Sequence, residues 1–476
     1  MIAFAVCAAL ALLAVAFSYE RPRQGVLVCA FLAPWSGLDV DLGLRVTAYQ
    51  LALAGCICGV VVRGGRQGRQ RATAVPLPMW LYLAYSVGIT LAMIPFLPDL
   101  DVVGGAMRSQ YLRPIAQMAV TALVMSPLLL IPRIMSGWAD VVAIGRAYVA
   151  GCVVLAVIGL AQITLWYTSG VDPLPMGYVN SLLTGGEENT LRSGQFEWDG
   201  FMVYRMSSFG GEPKGLGQSL VVGLMVVLAG LLGGGSGAGR KEMRIGVLLL
   251  VSIFLTQSTS AFALLAVGII VGGVLMLSSG SKMRSAAKRR LFQSSVLAVA
   301  AVATVLLFVD PERISAVGER AESLLRLRTV DRESYVEDSD ETVMAFLLDQ
   351  PRYAVFGTGL GTTHLFAMPY LPTSYARHMQ DTTLPMKSGW LKLVAETGIL
   401  GLTLFLLGAY SCTRGRPRGS GEGGRTKTIL SLCVAVIVTC YLLRTYVSYQ
   451  LFIVLGCALA GDRYAQRSNR DTASDQ

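Results

Sequence analysis

Apolar segments of about twenty residues recur along the whole chain, and they constrain its fold more than any other feature. A helix of that length crosses a hydrocarbon core about 30 Å thick, whereas a membrane β-barrel would show alternating segments of about ten residues. The charged fraction of 15%, against about 25% in soluble domains, excludes a soluble globular enzyme. We expect an all-α polytopic membrane protein with about 11–13 transmembrane helices, drawn from candidate segments at 2–17, 24–36, 43–62, 76–97, 115–131, 140–167, 219–234, 245–257, 260–278, 292–309, 389–411, 429–443 and 451–461.

Basic residues lie mainly in short connections, and this sets the predicted orientation. The chain has 40 Lys and Arg against 30 Asp and Glu, a net charge of +10. Cytoplasmic loops of membrane proteins carry such an excess of Lys and Arg. Nucleic-acid binding is the other interpretation of a basic chain, and we do not expect it here. We predict a cytoplasmic side for the connections at 63–71, 240–244, 280–290 and 412–428 and for the C-terminal tail at 462–476.

Two long connections fall on the opposite, extracytoplasmic side. Residues 168–218 carry six acidic and three basic residues, and residues 310–388 carry twelve and eight. A membrane bundle needs only short turns, so connections of this length indicate function. The predicted organisation is N-terminal transmembrane helices at 1–167, a first long periplasmic loop at 168–218, central helices at 219–309, a large periplasmic loop at 310–388, C-terminal helices at 389–461 and a cytoplasmic tail at 462–476.

The large loop is expected to contain short helices. Asp310, Pro311 and Glu312 are the residue types that begin a helix, and an apolar stripe follows them. Asp338, with Glu341 three residues later, predicts the start of a second helix. Pro351 would end that helix.

The sequence predicts neither a disulfide framework nor a metal site. The two long loops contain no cysteine, and the two histidines lack neighbours at metal-site spacing. Both histidines, His364 and His378, lie in the large loop. A neutral imidazole near pH 7 can take a proton from a hydroxyl. Each is therefore a candidate general base, and an exposed or hydrogen-bonded loop histidine is the alternative.

A glycine-rich run precedes His364 in the sequence YAVFGTGLGTTH at residues 353–364. Gly357, Gly359 and Gly361 permit a tight turn and close approach to a ligand. The run lacks the strand and helix context of a dinucleotide-binding motif. An ordinary loop turn is the alternative.

Charged residues crowd the end of the first long loop, which reads VYRMSSFGGEPKGLG at residues 203–217. Arg205 and Lys214 could neutralise a phosphate, and arginine can do so with two hydrogen bonds. Glu212 could act as a base or as an ion-pair partner. The alternative is an interfacial loop whose charges anchor the next helix.

The end of the large loop reads MKSGWLKLVAETGILG at residues 386–401. Lys392 and Glu396 are four residues apart and share a helix face. Charge near the bilayer centre is costly, so both are expected near the outer surface. Lys387 would then lie in or near water beside the loop that carries the histidines, as a candidate catalytic group. An interfacial lysine that extends to water is the alternative.

At these residues the sequence resembles the O-antigen ligase and O-antigen polymerase family of bacterial inner-membrane glycosyltransferases. The segments that carry the resemblance lie between about residues 200 and 405, in the family's order around one large loop. They are RMSSFGGEPKGLG at 205–217, TQSTSAFALLAVG at 256–268, DQPRYAVFGTGLG at 349–361 and GWLKLVAETGILGL at 389–402.

The resemblance implies a C-type glycosyltransferase-like fold with a periplasmic active site. The donor would be a glycan on undecaprenyl diphosphate, and the acceptor a sugar hydroxyl on another lipid-linked glycan or on a lipid. The resemblance implies no metal, no cofactor and no soluble nucleotide sugar. Basic residues would hold the diphosphate, and a loop histidine would assist the acceptor. Arg205 matches the family's first loop arginine, so phosphate contact is expected there.

The sequence departs from the family pattern at two places. Lys387 and Ser388 stand where many members carry His-Asn before the final Glu/Gly helix. The stretch at 336–340 lacks the arginine that often precedes the second loop helix. By location, His378 and His364 become substitute bases, with His378 ranked first, and Arg332 and Arg377 become further candidates for binding the diphosphate.

Three functions remain open at this point. The first is polymerisation of a surface or exported glycan, and the second is ligation of a glycan to a lipid or protein acceptor. The third is a flippase or export component without catalysis. The expected location is the bacterial inner membrane. Flippase, chain-length or export proteins are expected partners, besides the lipid-linked donor and the glycan or lipid acceptor.

Overall fold

The computed structural model describes residues 2–41, 45–64, 75–98, 110–135, 137–170, 195–198, 201–233, 239–278, 339–370, 386–413 and 422–474, most of which are helical. Five helices in this part of the chain are long and apolar enough to cross a membrane: Leu77–Phe96, Leu112–Ile134, Trp138–Ser169, Pro213–Leu231 and Gly389–Thr413. Shorter apolar helices occur at Ala8–Glu20, Ala48–Arg63, Thr259–Gly272, Ile429–Leu443 and Ser448–Gly461. A mainly helical chain with potential membrane spans is confirmed, and the count of 11–13 stays a prediction.

The chain divides into two compact units. Unit 1 comprises Met1–Trp80, Ala119–Met283 and Leu406–Gln476, and unit 2 comprises Leu81–Met118 and Arg284–Phe405. The chain passes from one unit to the other within helices α4 (Leu77–Met93), α5 (Leu112–Met125) and α14 (Gly389–Thr413).

The described elements of unit 1 are mostly long helices. They are α1 (Ile2–Glu20), α2 (Pro22–Leu32), α3 (Ala48–Gly64), α6 (Pro127–Ile134), α7 (Trp138–Ser169), α8 (Pro213–Gly233), α9 (Gly239–Leu255), α10 (Thr259–Ser278), α15 (Glu422–Leu443) and α16 (Ser448–Ser474). Two antiparallel hairpins accompany them: β1 (Asp39–Asp41) with β2 (Arg45–Thr47), and β3 (Gln195–Trp198) with β4 (Phe201–Tyr204).

Close helix packing in unit 1 depends on glycine. A Cβ atom at Gly55 of α3 would lie 2.5 Å from the carbonyl oxygen of Ala11 in α1. At Gly151 of α7, it would lie 2.2 Å from the Phe31 carbonyl oxygen in α2. Helices in lipid associate through such small residues because the backbones can then approach closely.

A polar seam also joins the helices of unit 1. The Tyr148 hydroxyl in α7 donates to the carbonyl oxygen of Ser219 in α8 over 3.0 Å. The Gln450 side-chain amide in α16 donates to the Ser219 hydroxyl over 3.3 Å. All three residues are buried within helices, so their hydrogen bonds link helices whose surroundings are otherwise apolar.

Unit 2 combines segments of the apolar helices α4, α5 and α14 with short helices of the large loop. Its loop helices are α11 (Ser339–Asp349), α12 (Pro351–Phe356) and α13 (Thr363–Ala367), followed by a 3-10 turn at Met368–Tyr370. They share an apolar core with the first half of α14. Its buried side chains are Leu97, Val343, Phe346, Leu347, Leu365, Phe366, Ala367, Leu391, Val394 and Ala395. This part of the loop is therefore packed on a helix that is long and apolar enough to cross a membrane.

The structure refines several predicted boundaries. The predicted segment 115–131 lies inside the candidate span Leu112–Ile134, and within that span the single residue Ser126, ahead of Pro127, separates α5 from α6. Proline lacks the amide that a continuous helix needs and is favoured at the first position of a new one. Pro351 likewise begins α12, one residue after α11 has ended at Asp349. The predicted segment 292–309, the helix start at Asp310 and the cap residue Asp338 lie outside the described residues.

Candidate functional site

In unit 1, Arg205 begins a tightly turned segment that joins β4 to α8. Tyr204 before it is buried and stacks on Trp166, with ring centroids 5.4 Å apart. The Met206 amide donates to the Leu255 carbonyl oxygen over 3.0 Å, and the Ser208 amide donates to the Gln162 side-chain oxygen over 2.9 Å. Arg205 itself is half-buried. It therefore projects from a backbone that is fixed on both sides.

The turn after Arg205 contains unusual backbone geometry. Ser208 has φ of 47°, a left-handed value that is costly for a residue with a side chain, and Gly211 has φ of 79°. A Cβ atom at Gly211 would lie 2.7 Å from the Gly37 Cα. The Gly37 amide in turn donates to the Phe209 carbonyl oxygen over 3.0 Å. The surrounding structure thus holds this turn in a strained shape.

Glu212 and Lys214 form an ion pair at the start of α8, with 2.7 Å between Glu212 Oε2 and Lys214 Nζ. Their side chains are 36% and 41% exposed. A phosphate bound by Lys214 would therefore share it with the Glu212 carboxylate. Three predicted residues, Arg205, Glu212 and Lys214, share this short stretch of sequence, and the structure pairs Glu212 with Lys214.

In unit 2, the turn at Gly357–Gly361 is locked onto α14. Gly398 has φ of 69° and ψ of 176° and breaks that helix. The break leaves the carbonyl groups just before it without their usual partners. The Thr358 amide donates to the Ala395 carbonyl oxygen, and the Gly359 amide to the Glu396 carbonyl oxygen, both over 2.9 Å.

The remaining amides of the turn are also used. The Leu360 amide donates to the Thr90 hydroxyl over 2.9 Å, and the Gly361 amide donates to the Glu396 side-chain Oε1 over 3.1 Å. The Gly357 amide donates to the Tyr353 carbonyl oxygen over 2.8 Å. A turn that cradles an anion would present these groups to the ligand. Here they hold the loop against α14 and α4.

Glu396 lies at the centre of this junction and is only 6% exposed. We expected Glu396 near the outer membrane surface, sharing a face with Lys392. That position stays a prediction, and within unit 2 the Glu396 carboxylate accepts the Gly361 amide. The glycine-rich run therefore contacts the Glu-x-Gly pattern of the next helix directly, through hydrogen bonds to Ala395 and Glu396.

His364 follows the turn, and its Nε2 lies 2.9 Å from Arg113 Nη1. Burial, followed by the charge of Arg113, lowers the pKa of His364 to about 3, although the Gly361 backbone opposes this shift. His364 is therefore neutral at physiological pH.

Lys387 lies at the entry to α14 and is held there by Asp340 from α11. The Asp340 carboxylate accepts the Lys387 amide over 2.9 Å and the Ser388 amide over 3.0 Å. It also accepts the Ser388 hydroxyl over 2.6 Å. An acidic group beside the positive end of a helix is stabilising. Asp340 stands in the stretch where the resembled family often carries arginine.

Three predicted site residues, Arg332, Arg377 and His378, lie outside the described residues. Among the described ones, Arg205, Glu212 and Lys214 belong to unit 1, and His364 and Lys387 belong to unit 2. No group of three or more His, Cys, Asp or Glu that could hold a metal occurs in the described part of the chain.

Sequence reasoning missed Arg113 and Asp340. Arg113 is the second residue of the span Leu112–Ile134, and an arginine just inside an apolar segment was the available signal. Asp340 was hidden among the acidic residues of the large loop. Scanning with protein-family models gives no match for this chain, and searching curated proteins gives none.

Proposed function

We propose that this chain is a membrane glycosyltransferase that polymerises or transfers a glycan carried on undecaprenyl diphosphate. The sequence resemblance described above supports this proposal, and so do the apolar helices, which suit a lipid-linked donor. The site would lie on the periplasmic face of a bacterial inner membrane. The sugar hydroxyl of a second glycan or of a lipid would be the acceptor.

One observation carries the proposal furthest. Part of the large loop is folded on the first half of α14, with a shared apolar core and with Asp340 fixing the backbone at Lys387. Polar groups on such a platform would stand beside the membrane, where the diphosphate of a lipid carrier resides. A site that acts on a lipid-linked substrate needs rigid support of this kind.

The reaction would break the bond between the sugar anomeric carbon and the phosphate oxygen. A new bond would form from that carbon to the acceptor oxygen, undecaprenyl diphosphate would leave, and the acceptor proton would pass to a base. Fixed cations stabilise the leaving diphosphate, which is the role proposed for Arg205 and Lys214. Lys387, His378 and Glu212 are the proposed bases.

The test uses the purified chain in lipid vesicles with an undecaprenyl-diphosphate-linked oligosaccharide. Turnover should release undecaprenyl diphosphate and lengthen or relocate the glycan. Arg205→Ala should lose most of this turnover. Arg205→Lys should also be impaired, because lysine keeps the charge but not the two-pronged geometry. Arg240→Ala, which removes an exposed arginine of the same unit, is the matched control. Wild-type turnover by Arg205→Ala would remove Arg205 from the site.

Flippase activity is the second candidate, because Glu396 is buried within a candidate span next to a helix break. Broken helices and buried charge are typical of transport sites. The same vesicles separate the two functions. A flippase would move the intact donor across the bilayer without releasing undecaprenyl diphosphate, whereas a transferase would consume the donor. Attachment of the glycan to a lipid or protein acceptor rather than to a second glycan would identify a ligase.

A further inference from the structure

Arg113 occupies a position that is electrostatically unfavourable for a cation. It is the second residue of α5, in the first turn, where the backbone dipoles give the helix a positive end. It is also half-buried, at the start of an apolar span. Two positive features therefore converge at one place, as they do in sites that bind anions at helix starts.

The hydrogen-bond partner of Arg113 does not cancel its charge. A guanidinium group only donates hydrogen bonds, so His364 Nε2, 2.9 Å from Arg113 Nη1, must be the acceptor and carry no proton. A neutral acceptor of this kind directs the guanidinium without neutralising it.

An acidic side chain, Glu396, acts on Arg113 electrostatically. Its Oε1, however, accepts the Gly361 amide. Within the described ranges, no ion pair joins the Arg113 guanidinium to a carboxylate. Glu396 thus offsets part of the charge, and the guanidinium keeps further donors beyond the one that His364 takes.

We propose that Arg113 binds a phosphate group of an anionic ligand, and that His364 is a positioning residue that orients Arg113 and not the general base. The ligand identity rests on the proposed function, which makes it the diphosphate of the lipid-linked donor. Guanidinium groups suit this ligand because their planar donors match two phosphate oxygens. The headgroup of an anionic phospholipid has the same chemistry and is the other source of such a phosphate.

The test measures binding of inorganic pyrophosphate to the purified chain in nanodiscs of phosphatidylcholine. Arg113→Ala should weaken binding by about tenfold or more, the usual effect of losing hydrogen bonds to a charged group. The affinity of Arg113→Lys for pyrophosphate should lie between those of Arg113→Ala and the wild type. Arg113→Lys replaces Arg113→Ala in the test if the alanine variant does not fold. Arg352→Ala removes an exposed arginine of unit 2 that lies over the Tyr353 ring, and should bind as wild type does.

His364 variants separate positioning from base catalysis. Glutamine offers a neutral acceptor and cannot titrate, so His364→Gln should stay within about threefold of wild type in binding and should keep turnover. His364→Ala should weaken binding. A base role predicts instead that His364→Gln and His364→Ala are equally inactive in turnover, which would overturn the positioning assignment.

The measurement of pyrophosphate binding does not depend on glycan transfer. If the wild type binds no pyrophosphate, or if Arg113→Ala binds it equally well, the assignment of Arg113 is overturned even where turnover occurs. If pyrophosphate binding depends on Arg113 but no donor is consumed, the proposed function fails and the anion site stands. Repeating the titration with phosphatidylglycerol in the nanodiscs tests the lipid source. Strong competition at Arg113 would assign the site to a headgroup and overturn its assignment to the donor.

Discussion

The His364 imidazole is held in one charge state by its surroundings. Burial, followed by the charge of Arg113, lowers its pKa to about 3 from an ordinary value of 6.5. Between these values the unfolded chain binds a proton that the folded chain does not. The free energy of unfolding therefore falls as the pH falls through this window. Above about pH 6.5 the contribution of neutral His364 is fully present.

This linkage predicts a pH-dependent difference for His364→Gln. The wild type should lose up to about 1.4 kcal/mol of stability per pH unit from this group inside the window, and the glutamine variant should lose none from that position. Thermal unfolding midpoints of the solubilised chain at pH 7.5, 6.0 and 4.5 give the comparison. Arg352→Ala removes an exposed arginine of the same unit, leaves His364 in place and should keep the wild-type slope. Parallel slopes for His364→Gln and wild type would contradict the account.

At this scale the sequence identified residue types but not their partners. His364 stood out because the chain has two histidines, yet its function as an acceptor depends on Arg113, 251 positions away. Spacing along the chain carries no information about such a contact. The ion pair of Glu212 with Lys214 was foreseeable as one alternative, since the two residues are neighbours in sequence.

Among the elements, the broken helix α14 makes a sharp prediction. Gly398→Ala should destabilise unit 2 by at least about 1–2 kcal/mol, because an L side chain is strained at positive φ. The new Cβ would also lie 2.1 Å from the Val355 carbonyl oxygen. Gly88→Ala is the control, since its Cβ meets nothing within 4 Å in α4, and it should be neutral or slightly stabilising. Thermal unfolding midpoints compare the two, and equal midpoints would refute the locked junction.

The contact of Asp340 with the start of α14 can be tested separately. Asp340→Ala removes the acceptor of three hydrogen bonds and should cost about 1–2 kcal/mol, as loss of a helix cap does. Asp340→Asn keeps one carbonyl acceptor, so its loss of stability should be smaller than that of Asp340→Ala. Hydrogen exchange at the Lys387 and Ser388 amides should be slowest in the wild type, faster in Asp340→Asn and fastest in Asp340→Ala. Exchange as slow in Asp340→Ala as in wild type would show that the carboxylate does not hold these amides.

Helices were predicted well where apolar character alone decides them, as in α7 and α14. Breaks were predicted poorly. The division between α5 and α6 follows from Pro127, a local signal that could have been used. The break at Gly398 could not be deduced in the same way, because glycine is common in membrane helices. The break is recognised only in the structure, where amides of the turn at Gly357–Gly361 donate hydrogen bonds to the carbonyl groups that the break exposes.

For the whole molecule, the distribution of basic residues predicts which side each connection faces. Single cysteines placed in 168–218 and in 310–388 should react with a membrane-impermeant reagent from outside. Cysteines in 63–71, 280–290 and 412–428 should react only after the membrane is opened. Labelling from outside at Ala286→Cys would overturn this topology. Cys58 is exposed and should be replaced in the background chain.

The locked turn also has a consequence for how the protein is made. The Leu360 amide bonds to Thr90, which is synthesised 270 residues earlier, and the Gly361 amide bonds to Glu396, which is synthesised 35 residues later. The turn therefore cannot complete its hydrogen bonding before Glu396 has been synthesised. It must wait until the first half of α14 has been made. During biogenesis, synthesis of that half-helix is the step that supplies the last partner of the turn.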